Sequence, residues 1–103
     1  MKKECRNRRE WNLYVESDPS TKKVVVFTTT WSAPCRFMEP YLNRMVRKRP
    51  DLTFVFGDAD NLEFIAEKEV FELPTILFMK DGQTVYHFSG ADDGELEQMF
   101  NNF

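Results

Sequence analysis

One short segment concentrates the chemistry of this 103-residue chain: Thr30-Trp31-Ser32-Ala33-Pro34-Cys35-Arg36. It places a hydroxyl and a thiol on either side of Ala33-Pro34, just ahead of a helical pattern. A serine hydroxyl stays protonated near neutral pH and needs an adjacent base to act as a nucleophile. No histidine lies in the segment. The only one, His87, belongs to a late strand pattern and reads as a strand-surface residue. Ser32 is therefore read as a helix N-cap, with Pro34 suited to the first turn. Cys35 then carries whatever sulfur chemistry the segment has, unless it is an inert small hydrophobe. Cys5 lies far away in sequence and reads as inert. Two Cys and one His cannot build an ordinary four-ligand zinc site without carboxylates, and two Cys are no disulfide framework. No metal and no cofactor are expected.

The segment must be held by what flanks it. Lys23 to Thr30 is β-branched and aromatic, a run that fits a strand covered on both faces. Residues 34–49 repeat Phe37, Met38, Tyr41, Leu42, Met45 and Val46 at helical spacing, with Pro40 inside and a kink expected there. Upstream, Asn7-Arg8-Arg9-Glu10 has capping-box spacing and opens a helix with Trp11, Tyr14 and Val15 on its apolar stripe, ending near Ser17-Asp18-Pro19. Residues 2–6 read as a short edge strand. Strands are expected over 52–57, 75–79 and 85–88, the last two joined by the tight turn Lys80-Asp81-Gly82-Gln83. Helices are expected over 61–70, with Leu62, Ile65, Ala66 and Val70 inward, and over 92–101, with Leu96, Met99 and Phe100 inward. Alternating strands and helices followed by a hairpin predict a single α/β domain with a mixed sheet covered on both faces.

Composition agrees. The chain is 42% apolar, 30% charged and 15% aromatic, which excludes collagen-like, low-complexity and largely disordered classes. No apolar run nears the roughly 18 residues of a membrane span. No apolar stretch follows Met1-Lys2-Lys3-Glu4-Cys5-Arg6, so a secretory signal is not expected and a cytoplasmic, reducing setting is. Net charge is −3, but residues 1–50 carry 12 Lys/Arg against 5 Asp/Glu, and residues 51–103 carry 2 against 12. A compact fold that interleaves the halves would cancel much of this dipole. Lys2, Lys3, Arg6, Arg8 and Arg9 form a basic patch without the aromatic interleaving of a nucleic-acid reader, so nucleic acid is not an expected partner. Arg44, Arg47, Lys48 and Arg49 suit the negative end of a helix dipole.

Several separated features occur together and in order: Phe27; Trp31, Pro34, Cys35 and Arg36; Pro40; Asp58-Ala59-Asp60; Leu73-Pro74-Thr75; Phe78; Asp81-Gly82; and Ser89-Gly90-Ala91. Across nearly its whole length the chain thereby resembles the thioredoxin family, whose loop reads Trp-Cys-x-Pro-Cys. The resemblance implies a thioredoxin fold, with a central mixed sheet of four or five strands and helices on both faces. It implies protein thiol–disulfide exchange, with disulfide-bearing or extended protein clients and a thioredoxin-reductase-type electron donor. It also implies a shallow groove formed by Trp31, Ala33, Pro34, Leu73, a cis Pro74, Thr75, Gly90 and Ala91, to which an extended segment adds by backbone hydrogen bonds.

The departure from the family pattern is Ser32, which stands where the family has its exposed nucleophilic cysteine. Oxygen cannot form the intramolecular disulfide that stores two electrons, so dithiol cycling is expected to be lost. That holds whether Ser32 is encoded by the gene or was put in place of a cysteine. Cys35 takes the recessed resolving position, where the helix N-terminus lowers a thiol pKa and burial raises it. Val26 and Phe56 occupy the positions where many family members carry a proton-relay Asp and Lys, and plain core is expected instead. Two alternatives stay open: a redox-inactive module that binds clients in the groove, and mixed-disulfide chemistry at Cys35 alone.

Overall fold

A computed structural model describes residues 1–62 and 72–103. The chain opens with β1 (Lys2–Cys5), the short edge strand expected. Then comes α1 (Arg8–Trp11), continued by a wider π-helical stretch over Asn12–Glu16 that the sequence pattern did not single out. The Asn7 side chain accepts from the Glu10 N–H at 2.8 Å, as the capping spacing predicts. The Glu10 carboxylate, however, takes the Arg6 N–H at 2.9 Å and so reaches one residue further back than a capping box does.

β2 (Lys23–Thr28), α2 (Ala33–Lys48) and β3 (Thr53–Asp58) follow. A 3₁₀ turn over Ala59–Asn61 comes next, where the sequence pattern suggested the start of a helix. Leu62 is buried as expected, and the rest of the helix expected over 61–70 lies outside the described residues. β4 (Thr75–Lys80), β5 (Gln83–Ser89) and α3 (Asp93–Asn101) complete the chain. Asp81 and Gly82 adopt φ of 55° and 77°, and Lys80 pairs with Gln83. This is the two-residue hairpin turn that an Asp-Gly pair favours.

The five strands lie in the order β1-β3-β2-β4-β5. β1, β3 and β2 are parallel, while β4 and β5 pair antiparallel. β3, from the acidic half of the sequence, is thus threaded between two strands of the basic half. Alternation along β2 divides its apolar run between two cores. Val24 and Val26 join Met38, Leu42, Phe54, Phe78, Leu96 and Phe100 on the α2 and α3 face. Val25 and Phe27 join Cys5, Trp11, Val15, Val55, Leu62 and Leu77 on the other. Each fully buried residue of this size contributes ~1.5–3 kcal/mol of hydrophobic stabilisation.

Within α2, Met38, Tyr41 and Leu42 face inward, but Phe37 is exposed, against the stripe read from the sequence. Adjacent apolar pairs occur at 37/38, 41/42 and 45/46, so periodicity leaves the stripe free to rotate by one residue, and the sheet selects the 38-41-42 side. The helix continues without a break through Pro40. Among the described residues, no helix is long and apolar enough to cross a membrane.

Candidate active site

β2 delivers Thr28 to Thr30 to the carboxyl end of the sheet, and α2 starts immediately beyond. Trp31 stands in this loop with 67% of its surface exposed, and its indole Nε1–H donates to Asp60 Oδ2 at 2.9 Å. Asp60 itself sits on the 3₁₀ turn after β3, fixed by its N–H donating to Asp58 Oδ1 at 2.9 Å. The loop is therefore tied to the turn by a charge-assisted bond. The sequence carried Asp58-Ala59-Asp60 only as part of a pattern; its specific task is to orient Trp31.

Ser32 occupies the N-cap position of α2, with extended backbone, and its carbonyl accepts from the Arg36 N–H at 3.1 Å. Its side chain makes no capping hydrogen bond, which corrects the reading of the hydroxyl as the cap. Nor is the side chain presented as the family's exposed nucleophile would be, since only 9% of Ser32 is accessible. Ala33 and Pro34 are exposed in the first turn. Cys35 follows, 3% exposed and free of any disulfide, recessed as expected.

The second half of the expected groove is built by strand register. Thr75 pairs with Phe27 of β2 on one side and with Ser89 of β5 on the other, so Pro74 and Gly90 lie at the end of the sheet from which the loop springs. The Leu73–Pro74 peptide bond is cis. The Gly90 N–H donates to Pro74 O at 3.1 Å, and Gly90 adopts φ +111°, which only glycine takes without strain. The Thr75 hydroxyl, fully buried, contacts Glu72 O and lies 2.8 Å from Ser89 Oγ. Leu73 is half-buried and Ala91 exposed. His87 is exposed on β5, with Nε2 at 3.4 Å from Ser89 Oγ.

Behind the loop, on the α2 side of the sheet, lies a cleft of about 260 Å³. Its wall includes Thr29, Cys35, Glu39, Asn43, Phe56 and Asp58. Val26 is plain core, as expected. Phe56 belongs to the same core, as expected, and its ring also walls the cleft, with the Lys2 ammonium 4.5 Å above it. Thr29 is 4% exposed, and its Oγ1 has no hydrogen-bond partner among the described residues. Such an orphaned hydroxyl costs ~1–3 kcal/mol. The cleft was not legible in the sequence, because its wall is assembled from four separated segments.

Cys5 is as buried as Cys35 but sits on the opposite face of the sheet, among Trp11, Val25 and Phe27. Its Sγ–H donates to Asn7 O at 3.5 Å. Burial pushes its thiol pKa up and the nearby Glu10 charge adds to this, outweighing the Asn7 backbone, whose polarity favours the charged form. A disulfide needs Cα atoms ~4.4–6.8 Å apart with Cβ vectors facing, and a sheet stands between these two sulfurs. Among the described residues no His/Cys/Asp/Glu cluster has the makings of a metal site.

Comparison with known proteins is consistent with this geometry. Residues 2–102 match the family model described as Thioredoxin. The chain is 41% identical over 97 residues to Thioredoxin H-type 1 of Nicotiana tabacum, covering 91% of this chain and 77% of that protein. It is 35% identical over 89 residues to a thioredoxin of Ophiophagus hannah, covering 84% and 85%. Among solved structures, the thioredoxin NaTrxh of Nicotiana alata superposes with a TM-score of 0.90 at 34% identity, over 98% of this chain and 90% of that one.

Proposed function

This chain belongs to the thioredoxin family of protein-disulfide oxidoreductases, and we propose that it docks extended protein segments in the groove at Trp31 and Pro74 without running the dithiol cycle. The observation that carries the reading is the pairing at the start of α2: a serine at the N-cap position and a single recessed sulfur at Cys35, with the other cysteine on the far face of the sheet. Thiol–disulfide exchange proceeds by thiolate attack on a disulfide sulfur, followed by resolution by a second thiol. Ser32 supplies no thiolate, and Cys5 cannot reach Cys35 to serve as a partner.

The binding half has what a strand-adding groove needs. Trp31 offers a broad apolar face held at its rim by Asp60. The backbone around Pro74 is locked by Gly90 and flanked by the buried Thr75. Clients are proteins that present an extended segment or a disulfide, and the electron donor for any cysteine-restored form is of the thioredoxin-reductase type. A cytoplasmic setting belongs to the same proposal.

The test is turnover of a protein-disulfide substrate by this chain and by Ser32→Cys, each supplied with a dithiol reductant. A silent chain and an active variant support the reading, with a gain of about 10³-fold or more, the scale on which removal of a nucleophile acts. Silence of both leaves the groove as a binding module alone. Sustained turnover by the unaltered chain overturns the proposal.

A further inference from the structure

The cleft behind the loop gives Cys35 an approach that does not pass through the groove. Cys35 shares its wall with Thr29, a residue 96% buried whose hydroxyl has no hydrogen-bond partner among the described residues. A buried hydroxyl with no partner is a hydrogen-bond group left for a guest to satisfy. The remaining wall is unevenly charged. Glu4, Glu39 and Asp58 bring three carboxylates and Lys2 brings one ammonium. That ammonium is already engaged, at 3.7 Å from Glu4, 3.4 Å from Asn43 Oδ1 and over the Phe56 ring. The cleft therefore presents net negative charge around a small cavity with one apolar wall.

We propose that Cys35 is a single-thiol site, reached from the β1–α2 side through this cleft, that accepts small disulfides and favours cationic ones. The step is one exchange. Cys35 loses its proton to solvent, and its thiolate attacks one sulfur of R–S–S–R. The S–S bond of the small disulfide breaks, a new S–S bond forms between Cys35 Sγ and one RS half, the other half leaves as RS⁻, and the small disulfide is the only oxidant consumed. The Thr29 hydroxyl is placed to donate to the guest. Acidic walls raise the local concentration of a cationic disulfide and lower that of an anionic one. This site is independent of the groove reading, since neither Trp31 nor Pro74 takes part.

The experiment follows adduct formation by intact mass on the folded chain, with three probes: cystamine (cationic), hydroxyethyl disulfide (neutral) and dithiodipropionate (anionic). Cys5→Ala keeps the signal on Cys35, and Cys35→Ala removes it. The expected result is one adduct per chain in native buffer, with cystamine faster than dithiodipropionate by about tenfold at low salt, the lower end of what charged clefts achieve. High salt and Glu39→Gln both shrink that ratio. Thr29→Val slows all three probes alike and leaves the ratio unchanged. Equal rates for cystamine and dithiodipropionate overturn the charge selectivity. Adducts that form only as the chain unfolds, in the native sequence and in Glu39→Gln alike, overturn the site.

Discussion

The two faces of the sheet each hold one buried cysteine, and the two differ in everything except burial. Cys5 is 2% exposed and Cys35 3%. Cys5 ends an edge strand and is packed against the Trp11–Phe27 stack, whose ring centroids are 5.8 Å apart. Its sulfur is bonded to Asn7 O, and burial holds it protonated. Cys35 starts a helix, behind an exposed loop and beside a cleft. Burial fraction alone therefore says little about a thiol. What the sulfur faces, a filled core or a lined cavity, decides whether it can react.

The sharpest way to break this comparison is to ask which sulfurs can pair. Under mild oxidation the unaltered chain should keep both thiols titratable with no internal disulfide. Ser32→Cys should lose two thiols per chain and keep one, and labelling in denaturant followed by peptide mapping should identify the survivor as Cys5. An internal Cys5–Cys35 bridge would show that the sheet does not separate the faces.

A second difference lies in what fills the faces. On the α2 and α3 side, Phe100 is met by Phe78 at 4.9 Å, Phe54 at 6.0 Å and Tyr41 at 6.2 Å. Truncating it leaves a cavity bordered by rings that cannot all move in. Phe100→Ala should cost ~3–5 kcal/mol, read from the urea midpoint at constant m. Phe37→Ala, one α2 side chain that faces solvent, should stay within ~0.5 kcal/mol. Equal losses would mean that Phe37 packs as its spacing suggested.

That contrast marks what could be read in advance. The apolar run of β2, the Asp-Gly hairpin and the Asn7 cap are local signals, and each formed where its residues demanded. The groove residues were legible only as a pattern spread along the chain. The face of α2 was not, because Phe37 and Met38 are adjacent and only the sheet chooses between them. The silent Ser32 hydroxyl was also illegible, since a good capping residue at the right position says nothing about where its side chain turns. The Thr29–Cys35 cleft required β1, the loop, α2 and β3 to meet, and no window of sequence contains all four.

The protonated state of Cys5 can be tested through alkaline stability. Its folded pKa is raised chiefly by burial, so the native chain holds the proton longer than the unfolded one. The contribution is fully present below the unfolded thiol pKa of ~8.5 and is lost as pH rises through the folded value. Over that interval the urea-derived stability should fall by no more than ~1.4 kcal/mol per pH unit, the one-proton limit. Tyr41 is also shifted upward, mainly by burial, and adds a later decline. Cys5→Ala should flatten the earlier part of the slope. An unchanged slope in Cys5→Ala would remove the ionisation argument for that face.

The smallest effect concerns how the aromatic face is pinned. At the end of α2, the Arg49 guanidinium forks onto Asp51, with Nε–Oδ1 and Nη2–Oδ2 both 3.0 Å. Its Nη1 donates to Phe100 O at 2.8 Å, so the pair also holds the end of α3. The Arg49 hydrogen bonds keep the Asp51 carboxyl below the usual carboxylate range. The contribution is therefore present above the unfolded value of ~3.9 and lost as pH falls through the folded one. Asp51 is largely exposed, and solvent screening limits Asp51→Asn to ~0.2–1 kcal/mol at neutral pH, vanishing in acid. Arg49→Met should cost more, because it also removes the shorter of two bonds to the Phe100 carbonyl, leaving that oxygen the Phe103 N–H at 3.2 Å. Equal costs for the two substitutions would mean that the surface ion pair, rather than the bond to α3, is what Arg49 contributes.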